Sequence, residues 1–455
     1  MPTTIGNSET ARDRVTTALR ARLTEHVARL AWTVDELALH QRSRLRALVA
    51  HAVARSPFHA RRLGRLDLDD FEVADLRHLP TMTKTEMTAS FDEVLTDRRL
   101  NRRVVEQHLA SSSDEPRLLL EDYVCLTSGG SSGERGVFVQ TIDEYADFVA
   151  SLTRRRMADL TAAGPDRPSL VIALVAAASP VHSSGFGAAT SGGPVRLISC
   201  PATLPTPVLV KRLNDLQPPA LMGYPTKLAE LAAEQIAGQL HIAPIAVTSI
   251  SELLTDEDRS IITAAFGVPV VDQFVSTEGL VGQSDPGESI LTFANDMCLA
   301  ELVDEDAQPV EPGTVASKVL VTNLHNFTQP LIRYELTDRF VAHGHRSGHL
   351  RATVDGRADS VFRYGTVVVH PLTIRTVMAK ASAVREYQVH QTPLGVHIDA
   401  VVSNKLGRQS LIADLHESLR AAGLHDPVVS VDEVRAIQRH PDTGKVRRFI
   451  PLVSG

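Results

Sequence analysis

The sequence predicts an α/β protein: a large N-terminal α/β domain with a β-rich subdomain, followed by a small α+β C-terminal domain. Three observations carry this. Between residues 118 and 340 short β-branched runs alternate with helical stretches, such as SLVIALVAA, VRLIS then PVLVKRLNDL, and AVTSI then DEDRSIITAAF. Strand, helix, strand with loops at the strand ends is the pattern of a largely parallel sheet. From 290 to 340 the runs ILTFA, MCLAELVD, SKVLVTNL and RYELTDRFVAHG follow one another without helices. Beyond 365, about ninety residues of mixed strands and helices remain, a size that suits a small domain of its own.

The elements follow in order. Residues 10–63 predict amphipathic helices, with Leu45, Leu48, Val49 and Ala52 at helical spacing and arginines between them, so a helical layer over a core is expected. A turn at Leu79-Pro80 leads to a short helix capped at Thr83, with Glu86 three residues on. YVCLT predicts a strand and DEYADFVASLTRRRMADL a helix. The stretch DGRADSVFRYG, 355–365, predicts a turn or linker, which sets the domains at 1–358 and 359–455.

Composition narrows the function. The chain has 455 residues with a net charge of -7, so it has no overall electrostatic reason to hold nucleic acid or an anionic membrane. Its three cysteines form no CxxC pair and suit no disulfide framework, and Cys/His clusters at zinc-ligand spacing are missing. The N-terminal stretch lacks the apolar segment of a signal peptide, and the longest apolar run, Leu170 to Ala178, is too short to cross a bilayer. A soluble, cytoplasmic protein is expected. Seven of the 47 basic residues are lysine, so a lysine in a polar loop stands out.

Five segments carry chemistry. TSGGSSGERG, 127–136, lies between a predicted strand and a helix. Its glycines permit close backbone approach, and its free N–H groups and hydroxyls form an anion cradle suited to a polyphosphate. It is not a Walker loop, and alone it is equally a linker. FVSTEG, 274–279, places Glu278 beside Thr277 at a strand end, where they can hold Mg²⁺ and a phosphate oxygen; read alone, Thr277 is better taken as a helix cap with Glu278 in the first turn. Asp338 in RYELTD ends a turn between strands and can accept two ribose hydroxyls, or is a structural turn Asp. Arg357 in DGRAD can reach an anion or a ribose. Lys445 lies in RHPDTGKVRR, either a mobile point charge for a developing phosphate charge or part of a solvated basic hairpin.

In order and at plausible separations, these five segments resemble the adenylate-forming superfamily of acyl-CoA synthetases and adenylation domains. The stretches QRSRLRALVAHAVARSPFHARRL, LPTMTK, MGYPTKLAELA, SISELLTDEDR and PLIRYELTD are similar to the phenylacetate-CoA ligase branch. The resemblance covers most of the chain. It implies that ATP and a carboxylic acid, aryl or otherwise small, give an acyl-adenylate and pyrophosphate, and that CoA then displaces AMP. Alternatives keep the adenylate but change the acceptor to an amine, a carrier protein or a nitrite-derived group, or leave a non-catalytic nucleotide-binding relative.

The resemblance also implies roles. Ser128, Ser131, Ser132 and Gly133 would cradle the β- and γ-phosphates. Phe274 would sit at the adenine, Thr277 at the α-phosphate, and Glu278 on Mg²⁺. Asp338 would bind the ribose with Arg357 close by, and His182 would line the acyl site. Asp359 would be the hinge of a mobile C-terminal domain, and Lys445 would bridge the carboxylate and the α-phosphate. The chain departs from the pattern at Glu134-Arg135, where Lys-Pro is usual, at Val275, where Gly is usual, and at Phe274, where Tyr is usual.

Overall fold

The computed structural model describes residues 10–111, 115–128, 136–162, 170–191, 195–357, 360–378, 380–381 and 383–452. Helices α1 (Ala11–Ala28), α2 (Val34–Arg55) and α3 (Pro57–Leu63) come first, then α4 (Lys84–Ala89), α5 (Phe91–Val94) and α6 (Arg102–Ala110). Their starts are written locally. Thr10 with Asp13, Thr33 with Glu36 and Thr83 with Glu86 form reciprocal capping boxes, and Ser56 caps α3 ahead of Pro57. Leu45, Leu48, Val49 and Ala52 are fully buried on one face of α2, against Leu63, Phe71, Leu299 and Ile332.

Strands β1 (Tyr123–Thr127) and β2 (Val137–Thr141) pair antiparallel and lead into α7 (Ile142–Ala162). Then β3 (Leu170–Val175), α8 (Ser183–Thr190), β4 (Val195–Ser199), α9 (Thr206–Leu216), β5 (Ala220–Gly223), α10 (Pro225–Ile236), β6 (Ala246–Ile250), α11 (Asp256–Phe266) and β7 (Val270–Val275) alternate as expected. The strands β7-β6-β5-β3-β4 are parallel neighbours. The central strands β3 and β5 are apolar on both faces, and α9, α10 and α11 cover one face of the sheet with Leu209, Leu213, Leu228, Leu231 and Ile262.

The helix-free segment divides. Strands β8 (Val281–Ser284) and β9 (Leu291–Phe293) extend the main sheet antiparallel, and the long hairpin β13 (Asp338–Arg346) and β14 (His349–Arg357) brings it to nine strands. Strands β10 (Cys298–Val303), β11 (Lys318–Asn323) and β12 (Tyr334–Leu336) make a three-stranded sheet of their own. A shared core that includes Leu291, Phe293, Val319, Val321 and Phe340 joins the two.

After β15 (Phe362–Tyr364), β16 (Val367–Val369) and α12 (Pro371–Met378) come β17 (Val384–Thr392), β18 (Gly395–Val402), α13 (Arg408–Ala421), β19 (Val428–Glu433) and β20 (Phe449–Ile450). The last four strands form a sheet in the order β19-β18-β17-β20. Ile374, Val389, Ile398, Leu415 and Leu419 close a separate core over it. The expected linker at 355–365 is in part strand, since β14 runs through Arg357 in register with Asp338. Among the described residues no helix is long and apolar enough to cross a membrane, and Cys125, Cys200 and Cys298 are buried and unbridged.

Candidate active site

The loops that leave the carboxyl ends of β3, β5, β6 and β7 face one region, the usual place for a site on a parallel sheet. Two cavities open there. The larger, about 590 Å³, is lined by Ser128, Phe274, Thr277, Glu278, Asp338 and Lys445, with Lys84 beside them. The smaller, about 240 Å³, is lined by His182, Tyr224, Thr248 and Met222 among others. Ser251, Gln273, Val275, Thr277, Thr443 and Lys445 line both, so the cavities meet at Lys445 and Thr277. Ser251 at this junction holds a left-handed φ of 67°, a strained conformation for a residue with a side chain.

Thr277 and Glu278 sit in the turn between β7 and β8, whose pairing resumes at Val275 and Val281. The expectation that Thr277 caps a helix is therefore not met. The Ser276 N–H donates to Leu280 O at 3.0 Å and the Gly279 N–H to Ser276 O at 3.1 Å, closing a tight turn. Gly279 has φ 107°, and a Cβ there would lie 2.2 Å from Asn323 Nδ2. That same amide donates to the Glu278 carbonyl at 2.7 Å, which fixes the turn. Burial pushes the Glu278 carboxyl above its ordinary value, and the nearby Asp338 charge pushes it the same way. Two carboxylates on one cavity wall favour a cation between or beside them. Among the described residues no group of three or more His, Cys, Asp or Glu side chains could hold a metal. One or two carboxylates is the protein contribution usual for Mg²⁺ that also binds substrate phosphates.

Asp338 opens β13 opposite Arg357 in the ladder. Phe274 lines the large cavity while its ring packs edge-on against Phe340, 5.1 Å between centroids. The Ser128 N–H donates to Gly136 O and the Gly136 N–H to Ser128 Oγ, both at 2.9 Å, which closes the neck of the glycine-serine loop. Ser131, Ser132 and Gly133 lie outside the described residues, as does Asp359.

Lys445 does not stand in a solvated hairpin. Its Nζ lies 5.6 Å from the centroid of the Tyr224 ring, a member of the main-sheet core rather than of the core over its own sheet. The Val446 N–H donates to Glu252 Oε1 at 2.8 Å, and Thr226 Oγ1 donates to Glu252 Oε2 at 2.7 Å. Arg439 donates to Glu230 at 2.6 Å and to Glu386 at 2.7 Å, so one guanidinium ties α10 to β17. Burial pushes Glu386 up to about 7 despite Arg439. Glu230 is instead held low, because Arg439, Lys227 and Thr206 together outweigh its burial. Glu252, Glu230 and Arg439 lie within the stretches SISELLTDEDR, MGYPTKLAELA and RHPDTGKVRR, but no spacing in the sequence singles them out. For Glu252 the signal in the sequence is its place two residues beyond the apolar run that forms β6.

His182 lines the small cavity at the start of α8, with Nδ1 3.4 Å from Thr127 Oγ1. Burial lowers its pKa, and the Lys445 charge adds to that, so its ring is neutral at pH 7. Helix α1 supplies one wall of this cavity through Val15, Thr16, Leu19 and Leu23, beyond its expected role as a covering layer. Arg12 pins it to Ser191 O at 2.8 Å, and Arg22 pairs with Asp143 at 3.0 Å.

A structure of 2-hydroxyisobutyryl-CoA ligase in its postadenylation state, in complex with R3-HIB-AMP, superposes with a TM-score of 0.68, covering 90% of this chain and 88% of that one at 17% identity. This chain shares the fold of that ligase. An open conformation of the same ligase with 2-HIB-AMP and CoA gives a TM-score of 0.55 over 91% of each chain, at 17% identity. ATP-bound MatB from Rhodopseudomonas palustris gives 0.52 at 16% identity, over 70% of this chain and 65% of that one. In sequence, 133 residues are 29% identical to Protein CapK of Staphylococcus aureus, a match spanning 28% of this chain and 28% of that protein. No family model matches the chain.

Proposed function

We propose that this chain is an AMP-forming ligase that activates a small carboxylic acid as its acyl-adenylate and passes the acyl group to the thiol of CoA. The observation that carries the reading is the junction of the two cavities at Lys445 and Thr277. A nucleotide in the larger cavity and an acid in the smaller one would meet there. Asp338 would accept the ribose hydroxyls, with Arg357 next to it in the ladder, and Phe274 would form part of the adenine wall. Ser128, with the undescribed Ser131, Ser132 and Gly133, would hold the outer phosphates. The acid's carboxylate oxygen attacks the α-phosphorus, the bond to the bridging oxygen breaks, and pyrophosphate leaves. Lys445 offsets the charge that gathers as two anions approach, and Thr277 donates to the α-phosphate. Mg²⁺, held by Glu278 with phosphate oxygens, would supply further neutralisation. Neutral His182 sits against the acyl group without adding charge. The CoA sulfur then attacks the acyl carbonyl carbon, and AMP leaves with the electrons of the broken anhydride bond.

The same route predicts a chain that turns at about 358, with Asp359 as hinge, so that residues 359–455 withdraw Lys445 before the thiol enters. Exchange of labelled pyrophosphate into ATP tests the first half-reaction. A panel of acids should include some that drive exchange, and adding CoA should yield the thioester by mass spectrometry. No exchange with any acid would refute adenylation. Exchange without thioester would move the acceptor to an amine or a carrier protein.

A further inference from the structure

Helix α7 carries three consecutive arginines with three different fates. Arg154 forks onto Asp296 at 2.7 and 2.8 Å, and Arg155 reaches Asp285 at 3.4 Å. Arg156 turns to the small cavity, where its Nη2 donates to Thr248 Oγ1 at 3.1 Å. Among the described residues no carboxylate pairs with it. Burial works against its charge, and only Asp159, one turn along the helix, favours it. A guanidinium stays protonated even so, and a half-buried one without an anion is costly unless a ligand supplies the anion.

The position is as informative as the charge. Thr248 precedes Ser251, at the cavity junction, by three residues, roughly 10 Å along an extended chain. Thr248 and Ile250 both line the small cavity, as residues two apart on one strand face do. The apolar part of the wall includes Leu174, Met222, Ile250 and Val275. The cavity thus has Lys445 at the junction and Arg156 beside Thr248, away from it along β6, with Arg20 of α1 as a further cation in the lining. Its volume, about 240 Å³, lies below the roughly 300–1,000 Å³ of pockets for drug-sized ligands.

Resting on the acid-activating reading above, we infer that the acid is bipolar: a short chain or single aromatic ring whose far end carries a second carboxylate, received by Arg156 and Thr248. One carboxylate is activated beside Lys445 and the other stays as an anion. A planar guanidinium suits a carboxylate through two parallel N–H bonds, which also fixes the acid's register.

The test uses matched pairs in pyrophosphate exchange: hexanoate against adipate, and benzoate against terephthalate and 4-hydroxybenzoate. The diacid of a pair should show a KM roughly 10- to 100-fold lower than its monoacid, the range for hydrogen bonds to charged groups. Arg156→Met should erase that preference through KM with little change in kcat, and Arg156→Lys should restore part of it. Arg155→Met, which touches only the surface pair with Asp285, should behave as wild type. Diacid binding is read separately, as the rise in melting temperature that adipate or terephthalate gives and Arg156→Met loses. Exchange that prefers apolar monoacids, or that keeps its preference in Arg156→Met, overturns the inference and leaves the ligase reading intact. Preference for 4-hydroxybenzoate over terephthalate overturns the anionic end. Diacid binding lost in Arg156→Met without exchange by any acid supports the inference and refutes the ligase reading, and neither binding nor exchange refutes both.

Discussion

At the scale of single residues, the candidate site depends on where one cation and one turn are held. Lys445→Ala removes the charge at the junction of the cavities, and a preorganised group of that kind is commonly worth about 10²–10³ in rate. Acyl-adenylate formation should fall by that much, while thioester formation from synthetic acyl-adenylate persists, as single-turnover assays of each half-reaction would show. An equal fall in both steps would count against a lysine that acts in the first alone. Gly279 matters for a different reason. Its φ of 107° is one that side chains rarely adopt, and a methyl would collide with the Asn323 amide that anchors the Glu278 carbonyl. Gly279→Ala should cost about 1–3 kcal/mol of stability and raise the Mg²⁺ concentration needed for exchange, because Glu278 is displaced. A variant with wild-type melting temperature and Mg²⁺ dependence would remove this account of the turn. Glycine and glutamate were both visible in STEG. The turn was not, because a hydroxyl followed by a glutamate also starts helices, and only the pairing of Val275 with Val281 decides between them.

At the scale of elements, the helices and parallel strands were legible because their signals are local: capping boxes, apolar spacing and β-branched runs. What was not legible is long-range. Nothing in the sequence of α1 shows that it walls a cavity made by α7, α8 and the main sheet. Likewise β13 and β14 look like the rest of the helix-free segment, yet they join the nine-stranded sheet while β10–β12 do not. Helix α3 gives a test of packing at this scale. His59 is fully buried, its Nε2 3.0 Å from Pro330 O, and burial with Arg62 nearby lowers its pKa to about 4. A histidine depressed in the folded state contributes stability above its unfolded value near 6.5 and loses it as pH falls toward 4. Between pH 7.5 and 5 this one group should remove about 2 kcal/mol. Asp272, pushed up to about 6 by burial, changes in the opposite sense over the same range, so the wild-type profile alone is flattened. The informative comparison is with His59→Gln, which can still donate to Pro330 O. Denaturant unfolding at both pH values should show the gap between variant and wild type narrowing by about 2 kcal/mol at pH 5. A constant gap would mean His59 does not remain neutral in the fold.

At the scale of the whole molecule, two separate cores face each other across the loop that carries Lys445. The contacts between them include several polar ones: Glu252 to the Val446 N–H, Arg439 shared between Glu230 and Glu386, and Arg448 with Asp258. A polar latch can open without exposing a core, which suits a lobe that turns between two half-reactions. Glu386 lies in the same lobe as Arg439, while Glu230 lies across the gap. Opening would break the bond to Glu230 and the pair of Arg448 with Asp258, while leaving Arg439 with Glu386. Arg439→Ala should then loosen the closed arrangement in particular. Glu386, already pushed up to about 7, would take a proton rather than remain as an unpaired anion, so the fold should survive. The expected result is a fall of roughly 10- to 100-fold in adenylation, with the thioester step from preformed acyl-adenylate unchanged. Glu230→Gln should do the same in milder form, because it weakens the same bond from the other side. Asp359→Pro completes the set: with φ fixed near −65° and an N–H removed, it should hold the chain in one state and spare only one half-reaction. If all three variants slowed both steps alike, the lobes would have to act as one rigid body, and the thiol would need a path to the acyl-adenylate with Lys445 still in place.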